Sequence, residues 1–471
     1  MEKSKLVFLM SSLTKIEVEQ FIDYVKSPFF NKKKQQVKLA SYLKKCHPEY
    51  PQARLTKVEV FKKLYPGEVY DDNRMRYEMS DLTKLLEDFL AFQNYKQNSI
   101  LNEINLLQSL SNKKLDKYFE QTHKKAISKL EDQQSKNSMH YFHFYQLNNL
   151  ADQHFSQKGE RKFDINIQNA SHYLDLFYLS QKLRNCCSMA DRQKFLASKY
   201  DVNFLEELNT MLEKVNFQNV QDIEVYDKLY QFINKENSDQ DFYKIIDLLK
   251  THVDFLEFND QKEIFMYLIN YCARKIRGGD ENFVETTLEL YLNGIQSKVL
   301  FEEGFLSPWT FKNIVSLGLR SKQYLWVKQF ISEYSDSIKP QFRQDALNFN
   351  LADLSFHQNE FKQTLSFLNQ LKYSDIYYKI NGRVLLLKTY FHLDEMNPLL
   401  SGIASFTIYL KRNNQITKDV KKSYLNFCNL LFRIVKAKPQ KRFMVLEKIK
   451  NTEQVISKAW LNSVCQNETA Y

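Results

Sequence analysis

Three histidines lie close together in the sequence and carry the side chains that bind transition metals. His140 and His143 are three residues apart, so on a helix both imidazoles share one face, and His154 follows soon after. A zinc site needs further ligands, and no cysteine or carboxylate stands at a matching interval from this pair. The neighbouring residues are aromatic, which favours partly buried structural histidines. We therefore predict no metal site and no cofactor.

The sequence has no pattern that is typical of nucleophilic or acid–base catalysis. Cys186 and Cys187 are adjacent in a predicted helix and point about 100° apart, so neither has an assignable base or metal partner. Gly278-Gly279 lacks the flanking pattern of a phosphate-binding loop and predicts a turn. We predict no catalytic residues and a protein that is not an enzyme.

A row of basic and polar residues near the C-terminus has clearer geometry. At 100° per residue, five side chains fall within a helical stripe about 60° wide, and two further cations stand just before it. The stripe consists of Lys418, Lys422, Asn429, Arg433 and Lys436, and the preceding cations are Lys411 and Arg412. Such a stripe is typical of a solvated outer face. Its functional interpretation is a docking surface for an acidic or phosphate-rich partner.

Length and composition limit the possible folds. The chain has 471 residues, and single hydrophobic cores stop growing at about 250–300 residues. It must therefore contain several domains or an elongated stack of units. The 9 Gly and 8 Pro are far below average usage of roughly 7% and 5%. So few turn residues argue against an all-β fold, while 36 Phe and 28 Tyr suit wide helix–helix contacts.

The net charge of +11 is unevenly distributed. Residues 1–64 carry 14 Lys/Arg against 6 Asp/Glu, and residues 411–450 carry 12 against 2, so the remainder is mildly acidic. Basic ends could attract a polyanion, or the acidic middle of another molecule.

No stretch approaches the roughly 18 apolar residues of a membrane span, and the six cysteines include no Cys-x-x-Cys pair. We expect no membrane association and reduced cysteines in a cytoplasmic protein.

Capping residues and apolar periodicity predict helices along the chain. Thr14-Lys15-Ile16-Glu17 is a capping box that begins the predicted first helix, and Thr56-Lys57-Val58-Glu59 is a second one. A long helix is predicted from about Asn73. Gly159 is expected to cap a helix at its C-terminal end, and Asn397-Pro398 to begin a late helix.

Residues 344–412 contain a repeat around which the rest of the chain is organised. Two landmarks return after 35 residues: Leu351-Ala352 as Leu386-Leu387, and Phe356-His357 as Phe391-His392. From residue 242 onwards, the second helix of each predicted hairpin begins with an aromatic residue. These residues are Phe242, Phe283, Tyr324 and Phe361. A helix–turn–helix unit of about 34 residues is typical of stacked helical repeats.

Residues 311–412 resemble tetratricopeptide-type (TPR) repeats in their paired helices, period and pairing of a slim residue with an aromatic one. The match is degenerate, because bulkier residues replace several of the family's small ones. The small residue of the first helix is kept at Ala352 but replaced at Val315 and Leu387, and that of the second helix is replaced at Val327, Thr364 and Leu399. We therefore expect looser or differently angled packing than in that family. The chain is also similar to uncharacterised bacterial helical-repeat proteins, a resemblance that implies no function.

A second resemblance concerns the N-terminal region. Leu55-Thr56-x-x-Glu59-x-Phe61-x-x-Leu64-Tyr65-Pro66, followed by Arg74–Leu90, resembles the winged helix-turn-helix of regulators that also carry TPR-like domains. The resemblance implies that Arg74, Arg76 and Lys84 lie on the helix that faces the DNA groove. The sequence departs from this family in two ways. That helix also bears four acidic residues, and residues 91–110 keep a helical pattern where a wing needs Gly-rich strands.

Together these patterns predict an all-α protein, an α-solenoid of stacked helical hairpins with an N-terminal helical unit. We divide the chain into a basic helical unit (1–95), irregular helical hairpins (96–300) and TPR-like repeats with basic C-terminal helices (301–471). The predicted function is a non-enzymatic protein–protein interaction scaffold that holds a peptide or helix of a partner in the solenoid groove. The alternative is a nucleic-acid-associated regulator that uses the basic N-terminal unit, with the repeats as effector or oligomerisation module.

Overall fold

A computed structural model describes residues 1–133, 136–159, 162–194, 199–214, 220–234, 239–252, 256–372, 375–414 and 416–467. Within these ranges the chain is all-α, as predicted, with 23 α-helices and one two-stranded hairpin. It divides into two compact units, Met1–Phe255 and Leu256–Tyr471. The three-part division made from the sequence stays a prediction. No described helix combines the length and apolar character needed to cross a bilayer.

The N-terminal unit contains twelve helices among its described residues. They are α1 (Lys5–Ser12), α2 (Lys15–Lys26), α3 (Lys34–Lys44), α4 (Lys57–Leu64), α5 (Asp72–Gln97), α6 (Ser99–Asn112), α7 (Asp116–Glu131), α8 (Ser138–Gln157), α9 (Asn166–Gln193), α10 (Leu205–Lys214), α11 (Gln221–Asn234) and α12 (Asp239–His252).

Helices α1 to α5 share one hydrophobic core. The capping box at Thr14 is present, but it begins the second helix rather than the first. The preceding apolar run folds as α1, because Ser4 caps it and Leu6, Val7 and Met10 turn into the core. Thr56 caps α4 as predicted, and the long predicted helix is α5.

Helices α6 to α12 continue the unit, and Gly159 lies at a helix end as predicted. α6 ends at Asn112, and Gly159 follows α8 with φ +67°, the left-handed conformation expected after a helix. A buried carboxylate ties three helices together. Asp222 of α11 accepts hydrogen bonds from the Tyr141 hydroxyl at 2.9 Å and from Ser180 Oγ at 2.5 Å.

The C-terminal unit contains eleven described helices and the strand pair. The helices are α13 (Phe258–Arg277), α14 (Phe283–Gln296), α15 (Pro308–Arg320), α16 (Tyr324–Tyr334), α17 (Pro340–His357), α18 (Phe361–Leu368), α19 (Ile376–His392), α20 (Met396–Arg412), α21 (Lys418–Lys436), α22 (Arg442–Asn451) and α23 (Lys458–Asn467). The strands β1 (Phe301–Glu302) and β2 (Phe305–Leu306) pair antiparallel, with Phe301 opposite Leu306.

Successive helices of this unit pack as pairs: α13 with α14, α15 with α16, α17 with α18, and α19 with α20. In addition α15 contacts α17, and α17 contacts α19. The predicted aromatic residues at 283, 324 and 361 are the first residues of their helices, whereas Phe242 lies three residues inside α12. Helices α19 to α23 share a hydrophobic core.

Three of these pairs are joined by the same turn. Lys322, Asn359 and Asp394 have φ of 58°, 62° and 57°, and the amide of the following residue donates to the carbonyl five residues before it. The second helix begins two residues after the left-handed residue each time. Asn397-Pro398 was predicted to begin a helix, and this prediction is wrong. The turn at Asp394 starts α20 at Met396, so that Glu395 rather than Asn397 is the N-cap.

The residues that the predicted TPR resemblance places at small positions are all buried, including Val315, Leu387 and Leu399. Two glycines at other positions of these helix pairs allow close contact between helices. A Cβ atom at Gly318 of α15 would lie 2.6 Å from Val327 Cγ2, and one at Gly402 of α20 would lie 2.8 Å from Leu387 Cδ2. The helices are therefore in close contact at these two glycines, and the expectation of looser or differently angled packing than in the TPR family stays a prediction.

Candidate functional site

The first helices of three successive pairs bring charged side chains together. Lys312 lies on α15, Asp353 on α17 and Lys388 on α19, and all three are half-buried. The negative charge of Asp353 acts on both lysines. Two ammonium groups thus share one carboxylate where water is partly excluded, which leaves an excess of positive charge.

Aromatic rings surround the Lys388 ammonium group. Its Nζ lies 5.9 Å from the ring centroid of Phe356 and 5.4 Å from that of Trp460, within the range of cation–π attraction. Trp460 Nε1–H donates to His392 Nε2 at 3.1 Å, and His392 stacks on Phe361 with centroids 4.6 Å apart. We call the following residues the charge–aromatic cluster: Lys312, Asp353, Phe356, His357, Phe361, Lys388, His392 and Trp460.

The electrostatics of the charge–aromatic cluster favour an incoming anion. Burial lowers the pKa of Lys388 to about 8, against the opposing charge of Asp353, and burial also lowers the pKa of Lys312. Burial acts to lower the pKa of His357 as well. Hydrogen bonds to Asp353 and the negative charge of Asp353 outweigh this effect and raise the pKa of His357 above its ordinary value. An added carboxylate would favour the charged form of Lys388, because an opposite charge raises a lysine pKa.

The predicted basic stripe lies on one helix, as its spacing requires. Its five residues are spread along α21 and are all exposed. They are Lys418, Lys422, Asn429, Arg433 and Lys436. Lys411 and Arg412, at the end of α20, are exposed too. The structure therefore brings the stripe together as predicted, and its role as a partner-binding surface stays a prediction.

The three basic residues of the nucleic-acid alternative lie on α5. Arg74 donates to Glu68 Oε2 at 2.5 Å and its guanidinium lies 3.6 Å from the Tyr65 ring centroid. Arg76 Nε lies 2.6 Å from Asp72 Oδ2, whereas Lys84 is exposed. Residues 91–110 belong to α5 and α6, where the winged-helix family has strands. Because Arg74 and Arg76 already contact carboxylates of their own unit, their charge is paired rather than free to bind phosphates.

The histidines considered as metal ligands have protein partners. His140 Nδ1 lies 3.1 Å from Gln133 Oε1, and burial lowers the pKa of His140 to about 4. His143 Nδ1 lies 3.3 Å from Gln146 Oε1. Over the described ranges, no group of three or more His, Cys, Asp or Glu is arranged to hold a metal ion. The six cysteines all lie within the described ranges, where each is buried and none forms a disulfide.

A serine, a histidine and an aspartate do meet in the N-terminal unit. Ser111 Oγ lies 3.1 Å from His154 Nδ1, and His154 Nε2 lies 3.2 Å from Asp116 Oδ1. The second distance lacks hydrogen-bond geometry, since His154 Nε2 has no hydrogen-bond partner. Ser111 is only 3% exposed, so a substrate carbonyl has no route to its hydroxyl. The arrangement joins α6, α7 and α8 and does not present a nucleophile.

No protein-family model, curated protein or solved structure matches this chain. Its own residues define it as an all-α chain that contains successive helix pairs.

Sequence reasoning missed the charge–aromatic cluster, although part of its signal was present. Asp353 and Lys388 are 35 residues apart, the same offset that relates Phe356-His357 to Phe391-His392. They are thus equivalent positions on neighbouring first helices. Trp460 comes from α23, outside the repeat, so no periodicity points to it.

Proposed function

We propose that the protein is a non-enzymatic protein–protein interaction scaffold whose C-terminal unit is a stack of TPR-like helical hairpins. In this proposal, the shared face of α15, α17 and α19 binds a peptide of a partner protein. The recurring turn at Lys322, Asn359 and Asp394 and the contacts between these first helices support a repeat. Six buried cysteines that form no disulfide within the described ranges support the predicted cytoplasmic location.

The observation that carries the proposal is the charge–aromatic cluster. A half-buried lysine that shares its counter-charge with a second lysine costs stability, and such costs are characteristic of sites kept for binding. A partner segment with one carboxylate beside an apolar side chain would meet both needs of the site. The carboxylate would pair with Lys388, and the apolar group would pack on Phe356 and Trp460.

A peptide array tests the proposal directly. Fluorescently labelled full-length protein is applied to peptides of about 12 residues in which one Glu or Asp and one Leu or Phe are moved systematically. We expect enrichment of peptides in which the acid and the apolar residue are near neighbours. Binding should be lost in Lys388→Met and kept in Lys328→Met, whose lysine is exposed on α16. Equal binding of peptides without an acid, or full binding by Lys388→Met, would refute the proposed site.

The nucleic-acid alternative makes a different prediction about salt. Binding through several phosphates should weaken by about 10³–10⁵ between 50 and 200 mM salt, because counterions compete for the phosphates. Peptide binding in an apolar groove should change little over the same range. Filter binding with duplex and single-stranded DNA and RNA separates the two, and no retention at low salt would eliminate the alternative.

A further inference from the structure

Helix α21 carries a second surface, separate from the charge–aromatic cluster, whose positive charge lies at its two ends. Lys418 and Lys422 form one basic end, and Arg433 and Lys436 form the other; all four are exposed. Among the residues that the structure describes, no carboxylate forms an ion pair with any of them. Their positive charge is therefore open to a partner.

The exposed face between the two basic ends is uncharged. Residues 423–432 contain no Asp, Glu, Lys or Arg, and Lys422 and Arg433 are about 16 Å apart along the helix axis. On the stripe's face this gap holds half-buried Leu425, exposed Asn429 and Phe432, whose side chain is 43% exposed. Arg433 Nε donates to Asn429 Oδ1 at 3.1 Å, which directs the guanidinium back along the face.

This charge pattern distinguishes between classes of partner. A nucleic acid or an anionic lipid surface presents negative charge continuously, so an uncharged gap of about 16 Å leaves much of it unmatched. An uncharged centre flanked by charged groups is instead typical of protein–protein interfaces, whose cores are depleted of charged residues. A row of side chains on one straight helix is matched along its length by a second helix, whose residues recur with the same period.

We propose that α21 binds an amphipathic helix of a partner protein that has acidic residues at both ends of one face and apolar residues between them. The surface spans about 27 Å, the length of five helical turns. Glutamates or aspartates at its ends would pair with the two basic ends of α21, and the apolar centre would cover Phe432.

The test uses the full-length protein and a synthetic amphipathic helix of about 19 residues, with paired glutamates at each end and leucines between them on the same face. Its binding is followed by fluorescence anisotropy. The double variant Lys422→Glu, Arg433→Glu should bind at least about tenfold more weakly. The matched double variant Lys328→Glu, Lys362→Glu, on exposed lysines of α16 and α18, should bind like the unchanged protein.

A charge-swapped probe, with lysines in place of the glutamates, should bind the Lys422→Glu, Arg433→Glu variant better than it binds the unchanged protein. The proposal is overturned if probe binding ignores both charge reversals. It is also overturned if single-stranded DNA or phosphatidylserine vesicles bind this face more tightly than the helix does. Lys388→Met should leave probe binding unchanged, so this proposal and the proposed peptide site can fail separately.

Discussion

Replacement of Lys388 by methionine is expected to stabilise the C-terminal unit at neutral pH while abolishing peptide binding. Methionine has a similar length and makes favourable contacts with aromatic rings, so it can keep the packing against Phe356 and Trp460. Asp353 keeps Lys312 and His357 as neighbours. The change therefore removes a poorly solvated charge without opening a cavity.

The size of the effect follows from the lysine pKa. Burial lowers the pKa of Lys388 from 10.5 to about 8, and each unit corresponds to about 1.4 kcal/mol, so keeping the charge costs at most roughly 3 kcal/mol at pH 7. With solvent screening at this half-buried site, we expect a net gain of about 1–2 kcal/mol in Lys388→Met. The cost is fully present below the folded-state pKa and is lost as pH rises from about 8 through 10.5, above which the lysine is mostly neutral in both states.

The chain provides a selective probe for this measurement. All three tryptophans, Trp309, Trp326 and Trp460, lie in the C-terminal unit, so tryptophan emission during guanidinium denaturation of the full chain reports on that unit. At pH 7, the free energy of unfolding should be higher for Lys388→Met than for the unchanged protein. This difference should shrink towards pH 10.5. Lys328→Met, at an exposed site, should show neither effect. A variant that is less stable at pH 7, or a difference independent of pH, would refute the reasoning.

Three further predictions use the same emission assay. Gly318→Ala should destabilise the unit by about 1 kcal/mol, because overpacking outweighs the usual helix gain; a stabilised variant would contradict the close contact. Lys322→Gly should stabilise by about 0.5–1 kcal/mol, since glycine adopts φ +58° without strain; an unchanged or lower midpoint would show that the turn is not strained. Burial and the charge of Lys388 lower the pKa of His392 below 6.5, so stability should fall as pH drops from about 6.5 through that lower pKa. The protonated ring cannot accept the Trp460 N–H, and Trp460→Phe should reduce the response.

Much of the helical architecture could be predicted because its signals are local. The capping residues Thr14 and Thr56 and the aromatic residues that begin α14, α16 and α18 act within one or two helical turns. The errors arose where a neighbouring element decides the local structure. The run Leu6–Met10 forms a helix because the core of α2 to α5 buries it, and Asn397 lost its capping role because the left-handed turn at Asp394 starts α20 earlier.

The charge–aromatic cluster shows why a repeat indicates where a site lies more readily than what it does. A fixed offset places Asp353 and Lys388 at equivalent positions of neighbouring first helices, so opposite charges there become spatial neighbours whenever the repeats stack. A search of the sequence for opposite charges at this offset would find the pair. Lys312, which supplies the excess positive charge, lies on α15 one turn before the position equivalent to Asp353. Trp460, which supplies one of the aromatic rings, lies on α23. Burial by those two elements, rather than the charge of Asp353 acting on Lys388, makes this a place that favours an anion.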